Sequence, residues 1–95
     1  MKVTPSQNGG SHRTGGLENI TVDRINKVLG FKPNIEDDPY KVVNSWGFSV
    51  TLRGKVHECG IWDYKGSQNW NSFSTCGPDE VFRALFGENY RKDRY

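Results

Sequence analysis

From Trp46 to Leu52 the chain alternates large apolar and small residues with a period of two. Trp46, Phe48, Val50 and Leu52 fall on one side; Ser45, Gly47, Ser49 and Thr51 fall on the other. Successive side chains of a strand point to opposite faces, so this segment reads as a strand from Val43 with one buried and one wet face. Val56 to Tyr64 reads as a second strand, and Arg53-Gly54 between them fits a two-residue hairpin turn. Such a turn also fixes the register: Phe48 lies opposite Cys59, Val50 opposite His57 and Trp46 opposite Ile61, and paired residues share a face.

The flanking segments carry helix signals. Thr21 is placed to cap a helix from Val22 to Leu29, with Asp23 in its first turn and Ile20 and Ile25 at the staple positions. Gly30 follows where a left-handed residue is wanted, and Phe31 can fold back on Ile25. A second helix is announced by Gly77-Pro78-Asp79-Glu80, with proline at the first helical position, and it presents Val81, Phe82, Leu85 and Phe86 before Gly87 ends it. A third strand is expected around Trp70 to Thr75, after the turn Lys65-Gly66-Ser67. The order α-β-β-β-α predicts an α+β domain: a three-stranded antiparallel meander with both helices packed over one face.

A chain of 95 residues holds one core, because two would each be too small to outweigh lost chain entropy. Three Trp, four Tyr and five Phe supply much of its apolar area. Residues 1–16, with four Gly, two Ser and a Pro, read as a flexible arm. Residues 17–87 read as the domain and 88–95 as a basic tail. The formal charge of +2 is carried by these ends, and residues 17–87 hold eight basic against nine acidic residues. A neutral body argues against a dedicated phosphate-binding surface, so nucleic acid, if bound, would meet the tails. No apolar run is long enough to span a bilayer, and the first residues lack the apolar core of a secretory signal, so a cytoplasmic protein with no membrane partner is expected. In that compartment Cys59 and Cys76 are expected to be free thiols.

With the core face built from Trp46, Phe48, Val50, Cys59 and Ile61, the opposite face collects Ser45, Gly47, Ser49, Thr51, Glu58, Gly60, Trp62 and Tyr64. Two large rings among small side chains make a shallow platform, unless the 31–41 connection or the tail covers them. The expected partner-binding residues are Trp62, Tyr64, Glu58 and Ser49, with Trp70 from the third strand and Arg91, Lys92 and Arg94 from the tail.

The chemical alternatives are thin. His57 and Cys59 share a strand face and Cys76 could approach, but no CxxC or HxxxH spacing completes a metal set, and no metal, cofactor or catalytic residue is expected. Asp63-Tyr64-Lys65 ending a strand resembles the PD-(D/E)xK nuclease family, which would imply metal-holding acids and a water-steadying lysine. The preceding strand offers no second acid, and Glu36-Asp37-Asp38 falls in a connection. Rings on a sheet with Arg91, Lys92 and Arg94 nearby leave a nucleic-acid-binding module as a further alternative.

Three blocks, SWGFSV from Ser45, CGIWDYKGS from Cys59 and FSTCGPDEVFRALFG from Phe73, resemble small proteins encoded by bacteriophages. That resemblance implies a non-enzymatic, stoichiometric inhibitor or adaptor of a host or defence protein, as anti-CRISPR inhibitors are. A second copy of the chain stays open as a partner.

Overall fold

The computed structural model describes residues 2–7, 12–35, 42–64 and 71–93, without the side chains of Val42, Val43 and Tyr64. Its elements are β1 (Val3–Pro5), β2 (Gly15–Leu17), α1 (Val22–Leu29), β3 (Val42–Leu52), β4 (Lys55–Tyr64), β5 (Phe73–Cys76), α2 (Asp79–Phe86), a 3-10 turn (Gly87–Asn89) and β6 (Tyr90–Lys92).

The hairpin forms in the register expected from its turn: Trp46 pairs with Ile61, Phe48 with Cys59 and Val50 with His57. Arg53 (φ 50°) and Gly54 (φ 76°) both take positive φ, the conformation a two-residue turn needs to match the strand twist. A register shift between Val42 and Ser45 lets Asp63 reach β3, where its carboxylate accepts from the Asn44 backbone N–H (2.6 Å) and the Asn44 amide (3.0 Å). Both helices have the expected spans within a residue. Thr21 caps α1 by accepting from Arg24 N–H, and Gly30 closes it at φ 91°. Pro78, with ψ 136°, stands one residue before the helix, and its carbonyl accepts from Val81 and Phe82.

The expected three-stranded meander is not what forms. The sheet has six antiparallel strands in the order β1-β3-β4-β5-β2-β6, and three of them come from the ends of the chain. β1 adds to the outer edge of β3, while β2 lies between β5 and β6. Val3–Pro5, Gly15, Gly16 and Tyr90–Lys92 therefore belong to the sheet, within the stretches 1–16 and 88–95 where an arm and a tail were expected. The physical reason is that β2 is Gly-Gly-Leu: two residues without side chains leave no alternation to read, and their strand exists only because two neighbours supply its hydrogen bonds.

The core lies between the helices and one sheet face. Trp46 and Phe48 on β3, Cys59 and Ile61 on β4, Phe73 on β5 and Leu17 on β2 meet Ile25 and Leu29 of α1 and Val81, Phe82 and Phe86 of α2. Phe82 is edge-on to Phe48 (centroids 5.9 Å apart) and stacked on Tyr90 (5.4 Å). The buried Trp46 indole satisfies its N–H on Asn26 of α1 (2.9 Å). Two layers result, and among the described residues the other sheet face carries no helix.

Candidate functional site

The helix-free face is set by strand alternation. β4 places Val56, Glu58, Gly60 and Trp62 there, and β3 places Ser45, Gly47, Ser49 and Thr51 opposite them. Trp62 sits between two serines, Ser45 on β3 and Ser74 on β5, both buried, while the indole itself is half-buried. Ser49 pairs with the exposed Glu58, whose carboxylate accepts from the Ser6 hydroxyl (2.7 Å). Val56 is the one exposed large apolar side chain among the described residues, at 60 %.

The small residues of this face make room for other parts of the same chain. A Cβ on Gly47 would run into the Ser6 carbonyl and the Ile35 side chain. Asn34 clamps the same spot: its side-chain oxygen accepts from Gly47 N–H (2.8 Å) and its amide donates to Gly47 O (3.0 Å), while Ile35 N–H donates to Ser45 O. On the far side the Arg13 guanidinium lies over Gly16, donates to Ser74 Oγ (3.1 Å) and pairs with Asp93 (3.1 Å). Ser6, Asn34 and Ile35 at one end and Arg13 at the other thus roof part of the expected platform. Asn34 and Arg13 carried no sequence signal, since each lies in a segment without periodicity and acts on a strand distant in sequence.

Of the other expected contact residues, Arg91 is exposed on the helix-free side of β6 and lies 3.5 Å from Glu18. Lys92 is exposed on the helix side, 3.6 Å from Asp79. The Tyr64 backbone pairs with Val42 at the end of the hairpin. Trp70 and Arg94 lie outside the described residues, as do Glu36, Asp37, Asp38 and Lys65.

The reactive groups are tied into the fold. Cys59 is buried in the core, and its thiol is pushed up to about 12 by burial first, then by Cys76 and Glu58. Cys76 pairs with Gly60 and so stands on the opposite sheet face from Cys59, which explains why the two thiols are free. His57 is half-buried beside Val50. Asp63 is fully buried with both carboxylate oxygens engaged by Asn44. Among the described residues no three His, Cys, Asp or Glu side chains are grouped to hold a metal ion. Tyr90 donates to Asp79 (2.5 Å), and its hydroxyl is raised above the usual phenol range by burial and by that hydrogen bond.

Comparison of the chain with protein-family models, curated proteins and solved structures finds no match.

Proposed function

We propose that this protein is a non-enzymatic binding module that docks on another protein, with Trp62 at the centre of the contact. The observation that supports this reading is the placement of Trp62: a large ring, half-buried, on the side of the sheet that carries no helix, with small hydroxyl side chains as its cross-strand neighbours. Aromatic anchors of this kind typically cost about 2 kcal/mol or more of binding when truncated. A protein partner fits better than a nucleic acid, because residues 17–87 hold eight basic against nine acidic residues and so offer no dedicated phosphate-binding surface. The resemblance to phage-encoded proteins then points to a host or defence protein as the partner and to stoichiometric inhibition as the mode.

The test compares tagged wild type, Trp62→Ala and Phe48→Ala in native cells after nuclease treatment. Wild type is expected to retain a protein at fixed stoichiometry. Trp62→Ala should lose it, about 30-fold in affinity, while its stability changes by about 1 kcal/mol. Phe48→Ala, in the core, should lose it only through unfolding. Unchanged affinity in folded Trp62→Ala, or recovery of nucleic acid alone, would overturn the reading.

A further inference from the structure

The sheet ends in β1 on one side and in β6 on the other. The backbone of β3 is covered by β1, by Ser6 N–H on Gly47 O, by the Asn34 amide, and by Asn34 and Ile35 N–H on Ser45 O. Beyond β6 no further strand is paired among the described residues. Glu18 N–H donates to Asn89 O (2.8 Å) and Asp93 N–H to Thr14 O (3.2 Å), so Asn89, Arg91 and Asp93 turn their backbone towards β2. Alternation then turns Tyr90 and Lys92 away from it. Tyr90 N–H is used by Gly87 O, which leaves Tyr90 C=O and both backbone groups of Lys92 without a partner among the described residues.

This open edge carries positive side chains on both faces. Arg91 projects on the helix-free side and Lys92 on the helix side, with side chains 73 % and 64 % exposed. A second copy of the edge, pairing antiparallel, would bring like charges together, which disfavours self-association here. We infer that β6 is a strand-addition site for an extended acidic segment of a partner protein: main-chain bonds to Tyr90 O and Lys92, and carboxylates on alternate sides reaching Arg91 and Lys92. The site goes beyond the contact proposed around Trp62, and it extends the same row of the sheet, since Arg91 pairs with Gly16, Gly16 with Ser74 and Ser74 with Trp62.

The test uses the whole protein and two short synthetic peptides, one with adjacent glutamates flanked by valines and one with adjacent lysines flanked by valines, so that the charges fall on both faces of the added strand, read by amide hydrogen exchange and NMR titration. With the acidic peptide the Lys92 amide should exchange about tenfold more slowly, while the Arg91 amide, already bonded within the sheet, should change little. The lysine peptide should do neither. Lys92→Pro removes the outward N–H at an edge where proline is tolerated and should abolish the effect. Arg91→Glu combined with Lys92→Glu should weaken binding about tenfold. An unchanged Lys92 amide, or equal binding of the lysine peptide, would overturn the inference. Because Trp62→Ala should leave peptide binding intact, failure here is separable from failure of the Trp62 contact.

Discussion

Replacing Gly15 with alanine asks directly whether the second strand exists. In a free arm this change would be neutral, or stabilising by about 0.4–1 kcal/mol through the loss of unfolded-state freedom. In the structure Gly15 is a buried residue between β5 and β6. A Cβ there would stand 2.6 Å from the Tyr90 hydroxyl, 2.7 Å from its ring and 2.8 Å from the Arg91 carbonyl oxygen. The ring is stacked on Phe82, and the carbonyl belongs to the neighbouring strand, so neither can yield without disturbing the core or the ladder. Overpacking of this kind costs about 1–3 kcal/mol. For a domain of this size that lowers Tm by roughly 10 °C, readable by thermal unfolding followed with circular dichroism. Tyr90→Phe removes the nearest of the three atoms and also the hydrogen bond to Asp79, at about 1–2 kcal/mol by itself. The double variant should therefore be less unstable than the sum of the singles by at least about 0.5 kcal/mol. A Gly15→Ala protein that melts at or above the wild-type temperature would refute the placement of β2 and the explanation of the six-stranded sheet with it.

Two further outcomes follow from buried groups. Asp63→Asn turns an amide N–H₂ towards the Asn44 donors that the carboxylate now satisfies, and should cost about 2 kcal/mol in denaturant unfolding; a neutral result would mean the carboxylate is not engaged as described. Alkaline pH should destabilise the fold. The Cys59 thiol ionises near 9.0 when unfolded and is pushed up to about 12 when folded, so its contribution is intact below pH 9.0 and is lost as pH rises towards 12. Tyr90 acts in the same direction from 10.0 upwards. Unfolding at neutral pH and at about pH 10.5 should show the drop, and Cys59→Ala should flatten it; a pH-independent midpoint would contradict both burials.

The part of the molecule legible in the sequence is the part held by local interactions. The span of α1 follows from the Thr21 cap and the Gly30 stop, and the hairpin register from the Arg53-Gly54 turn and the alternation around Trp46, so the face that Trp62 occupies is readable from local sequence. Whether that face is bare is not, because Asn34 and Arg13 reach it from segments without any pattern. The tertiary structure alone decided the size of the sheet. A strand made of Gly15, Gly16 and Leu17 has almost no side chains with which to declare itself, and Val3–Pro5 and Tyr90–Lys92 are too short to show a period. Such strands are stable only because the β3–β5 platform offers unpaired edges, and an edge is a property of the assembled sheet that no single segment of sequence contains.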